Sequence, residues 1–166
     1  LGAILSVFLL YGKTFLLDRA ALARVATAFL PTAVVGVFFY KTMKTHFLGN
    51  DSLVLWALFA GGIFLIGFEL LFSRRKGKID HFTRMSYARA FAIGCFQGIA
   101  MVPGVSRSAA TILGGLALGL ERKTTVEFSF LLAVPTMLAA SLWDLWNSSS
   151  AFSSHDFGML ALGFGV

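Results

Sequence analysis

Long apolar runs, broken by short polar clusters, recur along the chain, and their lengths predict helices that cross a membrane. One run covers residues 1–12, a second 25–40, a third 52–72, a fourth 124–146, and 157–166 begins a fifth. A helix rises about 1.5 Å per residue and needs roughly 20 apolar residues to cross a hydrocarbon core of about 30 Å. The run 52–72, whose one charge is Glu69, is therefore the clearest span. Glu69 lies within a turn of its end and is expected to snorkel to the interface rather than to carry protons inside the membrane. Pro31 in the second run is tolerated as a kink. Both ends of the chain fall inside apolar runs, so the sequence reads as an internal piece of a larger membrane protein, a single membrane domain over 1–166 truncated on either side.

The polar clusters set the orientation. Residues 73–84 hold Arg74, Arg75, Lys76, Lys78 and Arg84 against Asp80, whereas 147–156 contain no Lys or Arg. Positive charge accumulates on the cytoplasmic side, so the first cluster is expected inside and the second outside. By alternation, 13–24 falls inside and 41–51 outside. The stretch 85–120 breaks this pattern, because its second arm, 108–120, would rise only about 20 Å as a helix. The span 124–146 must also start inside to deliver 147–156 outside. Residues 85–120 are therefore expected to enter and return on the cytoplasmic side as a re-entrant helical hairpin with its tip at 103–108. The fold class is all-α, a polytopic transmembrane bundle that includes this hairpin.

Composition agrees with a membrane solvent and excludes other classes. Apolar residues make up 57% and charged residues 13%, with a mean hydropathy of +0.80. Soluble domains carry roughly 45–50% and about 25%. A single cysteine excludes a disulfide scaffold, and Cys95 is expected as a small packing residue. The net charge of +6 does not point to nucleic acid, because the basic residues sit in the loops between spans. His46, His81 and His155 also fall in loops and are expected to be solvated.

The hairpin tip carries the candidate chemistry. Irregular backbone at membrane depth persists only when buried in protein or lining a wet cavity, and an arginine there costs about 2.5–3.5 kcal/mol even on lenient scales. Pro103 ends the first arm, Gly104 permits a tight turn, and Ser106, Arg107 and Ser108 open the second arm. A helix N-terminus bearing an arginine and two hydroxyls suits an anion, phosphate above all. Arg107 can grip two oxygens, and Ser106, Ser108 and Thr111 offer hydroxyls beside it. The alternative is that a serine merely caps the helix while Arg107 pairs with an acid elsewhere. Gly94 with Gly98, and Gly115 with Gly119, have the four-residue spacing that lets helices approach. Thr124 and Glu127 are spaced as a capping box, so Glu127 has a structural reading beside a chemical one. Gln97 is equally open to facing a cavity or bonding the other arm. Arg89 is expected at the inner interface, and Asp144, beside Trp143 and Trp146, at the outer one. Gly104, Ser108, Gln97 and Glu127 complete the candidates for substrate contact.

Three strings in order carry a resemblance: residues 90–97 (AFAIGCFQ), 103–111 (PGVSRSAAT) and 127–135 (EFSFLLAVP). At these residues the chain resembles the bacterial undecaprenyl-diphosphate phosphatases, also known as bacitracin-resistance proteins, with looser similarity over its whole length. The resemblance implies a bacterial inner-membrane enzyme that removes the terminal phosphate from the C55 isoprenoid diphosphate carrying cell-wall precursors. It implies an inverted repeat with two re-entrant hairpins, of which 85–120 would be the second. It further implies that Arg107 holds the diphosphate, that Ser106 is a nucleophile or phosphate ligand, and that Thr111 completes the pocket. A divalent cation such as Mg or Ca is implied as cofactor, although no ligand cluster stands in this sequence, and a homodimer is a further expected assembly. The family's first hairpin carries a glutamate pair and a Gly-His string that these 166 residues lack. The chain by itself is therefore expected to be inactive, because phosphoryl transfer also requires activation of the nucleophile and relief of charge on the leaving group. A phosphate-release assay comparing it with the longer parent checks this, and equal turnover would refute it. The rival from another class is a transporter or flippase, since broken helices that meet inside the membrane also hold anionic cargo. A purely structural membrane subunit is the third reading.

Overall fold

Five helices account for most of the described residues, 18–42, 45, 51–72, 77–147 and 163, of this computed structural model. They are α1 (Arg19–Thr42), α2 (Asp51–Phe72), α3 (Tyr87–Ile99), α4 (Arg107–Ala117) and α5 (Arg122–Asn147). Helices α1, α2 and α5 are long and apolar enough to cross a membrane, matching three of the expected spans. The expected runs 1–12 and 157–166, and His46 and His155, lie outside the described residues.

Helix α1 begins six residues before the apolar run because polar side chains support its first turns. Asp18 caps it, its Oδ1 accepting from the amides of Ala20 (2.9 Å) and Ala21 (3.1 Å). Arg24 donates from Nε to the Met85 carbonyl (2.7 Å) and lies over the Tyr87 ring, 4.9 Å from its centroid. This ties the start of α1 to the base of the α3–α4 unit. At its far end the Tyr40 hydroxyl donates to Asp144 (2.9 Å), so α1 and α5 run in the same direction.

Glycines decide how closely the short helices approach their neighbours. A methyl group at Gly94 would land on the Ala28 carbonyl and the Pro31 ring, so α3 crosses α1 backbone to backbone. Gly114 receives Phe96 of α3, and Gly115 receives Thr125 of α5. The paired-glycine expectation is corrected at Gly119, which has φ +87° and where a methyl group would meet nothing within 4 Å among the described residues; it is a turn residue. Cys95 is likewise not a packing residue but exposed on α3. The core lies below the crossing, where Val25 and Ala28 of α1, Ile93 of α3 and Phe128, Leu131 and Leu132 of α5 are buried.

A short strap seals the base. Ile79 pairs with Leu120, the Glu121 amide donates to the Ile79 carbonyl (2.9 Å), and Lys78 donates to the Gly119 carbonyl (3.0 Å). Thr124 donates to the Asp80 carbonyl (2.6 Å). The Thr124–Glu127 capping box is therefore not formed: α5 starts at Arg122, two residues earlier, and Thr124 serves the strap. Glu69 does not reach the interface alone. Its carboxylate pairs with Arg122 (2.8 Å), which sets the end of α2 level with the start of α5. Near its other end, α2 presents the Val54 carbonyl and Ala57 to Gly104 in the α3–α4 turn.

Candidate functional site

The turn between α3 and α4 is built by successive backbone bonds. The amides of Ala100, Met101 and Val102 donate to the carbonyls of Gln97, Gly98 and Ile99, and Val105 donates to Val102 (3.0 Å). Gly104 takes φ +92°, where a side chain would be strained and would also strike α2. Ser106 then caps α4, its hydroxyl accepting from the Ala109 amide and sharing a 3.2 Å hydrogen bond with Ser108. Both serines are exposed.

Arg107 turns inward from this cap. Half-buried, it donates from Nη1 to Thr136 Oγ1 (3.0 Å) on α5. The polarity of that bond is fixed, because the single Thr136 proton goes to its own helix, at Leu132 O (2.6 Å) or Ala133 O (3.0 Å). Among the described residues no carboxylate pairs with Arg107. Its guanidinium instead borders a cavity of about 480 Å³ between α1, the end of α3 and α5. Thr32 and Gly36 form one wall, Thr136 and Ala140 another, and Gln97 sits with Arg107 in the remainder. Tyr40, Trp143 and Asp144 stand at the far end, the two rings meeting edge to face at 6.0 Å.

The structure thus brings Arg107 and Gln97 to one cavity and leaves other expected site residues elsewhere. Gln97 is 1% exposed and donates from Nε2 to Thr32 Oγ1 (3.1 Å). Thr111 does not complete the cavity. It is buried against α5, bonded to Ser129 and donating to the carbonyl of Arg107 or Ser108. Glu127, half-buried on α5, is not in the cavity wall, and neither are Ser106 and Ser108, which stand at the exposed start of α4. Asp144 is not simply solvated, since it accepts from Tyr40. Sequence reasoning missed Thr32 and Thr136. The available signal was a Pro-Thr pair in the middle of each of two spans, Pro31-Thr32 and Pro135-Thr136. Among the described residues no three His, Cys, Asp or Glu side chains come together.

The sequence pattern of the bacitracin resistance protein BacA family matches residues 1–166. An undecaprenyl-diphosphatase of Sulfurihydrogenibium is 46% identical over 166 residues, covering all of this chain and 65% of the relative. One of Thermus thermophilus is 48% identical over 99% of this chain and 62% of its own length, and one of Aquifex aeolicus 42% identical over 99% and 64%. The chain spans a little under two thirds of the length of these curated relatives. With its three membrane-length helices it is a multi-pass protein of the cell inner membrane. A match that runs from the first residue to the last, through the turn that presents Arg107, means that this chain belongs to the bacitracin resistance protein BacA family.

Proposed function

We propose that the chain forms the arginine-bearing half of an undecaprenyl-diphosphate phosphatase site, which releases the terminal phosphate of the lipid carrier used in cell-wall synthesis. One observation carries this reading: Arg107 borders a cavity with a neutral hydroxyl as its protein partner. A cation in that setting is ready for the charge spread over the oxygens of a transferring phosphoryl group. Thr111 acts as a positioning residue, holding the first turn of α4 against Ser129 of α5.

The α3–α4 unit is a re-entrant hairpin in this proposal, part of an inverted repeat completed by the rest of the parent. Supporting this, α3 has 13 residues and α4 has 11, so they rise only about 20 and 16 Å, too little to cross. The tip approaches Val54 and Ala57, within about 9 Å of the start of α2 along its axis. With basic loops inside, that start faces outward, and so do the ends of α1 and α5 from which Tyr40, Trp143 and Asp144 line the cavity. The headgroup would enter from the outer face, with the isoprenoid tail along the apolar flanks. A homodimer belongs to the same proposal, and the exposed apolar surface of α2 offers room for it. A divalent cation in this proposal would be held by the phosphate oxygens of the substrate together with one or two carboxylates.

Ser106→Gly in the full-length protein tests whether this hydroxyl acts on phosphate or only caps α4. Glycine keeps most of the cap, to within a few tenths of a kcal/mol, while removing the hydroxyl. A phosphatase that uses this hydroxyl on phosphate loses at least about 10²-fold in kcat, measured as phosphate release. A helix cap alone predicts activity within about twofold. A transporter predicts that the unaltered protein moves intact lipid diphosphate without releasing phosphate.

A further inference from the structure

We propose that the Gln97 carboxamide oxygen is an acceptor for a proton-bearing phosphoryl oxygen, so that the site takes a P–OH group and disfavours a fully deprotonated oxyanion. This deepens the phosphatase reading and rests on it. Gly94, Thr32 and Gln97 are joined by a chain of hydrogen bonds. Thr32 has one hydroxyl proton, and it goes to the Gly94 carbonyl (3.1 Å), which can only accept. The Thr32 oxygen therefore offers lone pairs alone, and the Gln97 amide must turn its NH₂ group towards it (3.1 Å). That leaves Oε1 on the other side of the amide. This oxygen is buried and has no donor among the described residues.

An acceptor left in this state is uncommon, and it favours any ligand that brings a donor. Gln97 and Arg107 line the same cavity, so the incoming group meets a cation and a neutral acceptor together. Arg107 attracts the charged oxygens. Oε1 repels an oxygen that bears only lone pairs and bonds one that bears hydrogen. A phosphate monoester, whose second pKa is about 6, carries such a hydrogen for part of the time at neutral pH, inorganic phosphate carries at least one throughout, and sulfate carries none. The oxygen is buried, and its residue lines the cavity together with Arg107 and Met101, so a donor that reaches it comes from that side.

The test uses the purified full-length protein, with phosphate release from undecaprenyl diphosphate inhibited by inorganic phosphate or by sulfate. Phosphate is expected to inhibit at least about tenfold more strongly than sulfate. Gln97→Met removes the acceptor at similar length and brings the two inhibition constants to within about twofold. Thr32→Val leaves the amide free to turn its NH₂ towards the cavity and is expected to strengthen sulfate inhibition. A merely structural role for Gln97 weakens both anions alike and leaves their ratio unmoved. If Gln97→Met also raises KM for the lipid, the contact belongs to its headgroup; if only the phosphate constant rises, it belongs to the released product. Equal inhibition of the unaltered protein by both anions overturns the inference, as does a ratio that survives in both variants. Absence of phosphate release from the unaltered protein sinks the phosphatase reading itself, whereas release with an unmoved ratio sinks this inference alone.

Discussion

Arg107→Met in the full-length protein is expected to lower kcat/KM for lipid diphosphate by on the order of 10³-fold, while thermal stability in detergent stays level or rises. The two halves of this prediction have the same cause. Arg107 is half-buried, and its partner among the described residues is the neutral hydroxyl of Thr136. Nothing in that contact repays the transfer of a guanidinium from water into a half-buried place beside a neutral hydroxyl. Methionine has similar length, removes that cost and leaves Thr136 bonded to its own helix at Leu132. A residue retained for stability should unfold the protein when replaced, whereas one retained to grip an anion should abolish turnover in a well-folded protein. Arg107→Lys is also expected to be poor, because a single ammonium cannot offer two parallel donors to phosphate oxygens. Phosphate release measured beside thermal unfolding decides the matter. Turnover within tenfold of the unaltered protein, or a loss that tracks unfolding, removes the basis for placing the anion at Arg107.

Such a residue could be found in the sequence because water and hydrocarbon price it so differently. An arginine between two apolar arms, the second too short to cross, needs no tertiary information to stand out, and the same arithmetic located α2 and α5 to within two residues. The cavity could not be read in this way. In a membrane the outward face of a helix is as apolar as the inward one, so hydrophobic patterning does not tell which face of α1 or α5 meets a neighbour. Thr32 and Thr136 consequently read as ordinary polar residues in spans, although one orients Gln97 and the other holds Arg107. The Glu69–Arg122 pair joins residues 53 apart and follows from how α2 lies against the base of α5, which no local signal carries. The capping box at Thr124 failed for a related reason. Its spacing is correct, but α5 starts at Arg122, two residues earlier, so Thr124 lies inside the helix rather than at its cap, and its proton goes to the Asp80 carbonyl of the strap.

Gly94→Ala and Gly98→Ala, the same change four residues apart on α3, are expected to act with opposite sign. In a helix interior, alanine is worth roughly 0.5–1 kcal/mol over glycine, since it loses less backbone freedom on folding. At Gly98 the new methyl meets Val35 at 3.5 Å, ordinary van der Waals contact, so that gain is expected to survive. At Gly94 it would lie against the Ala28 carbonyl and the Pro31 ring, and a backbone atom cannot rotate aside. Helices α1 and α3 must then separate, at a cost of typically 1–3 kcal/mol for overpacking. The separation also stretches the bond from Thr32 to the Gly94 carbonyl, and with it the hold of Thr32 on Gln97. Gly94→Ala should therefore lower both the midpoint of thermal unfolding and turnover, whereas Gly98→Ala should leave turnover intact with an unchanged or higher midpoint. Equal behaviour of the two variants would mean that α3 does not cross α1 at Gly94, and the cavity formed by that crossing would have to be redrawn.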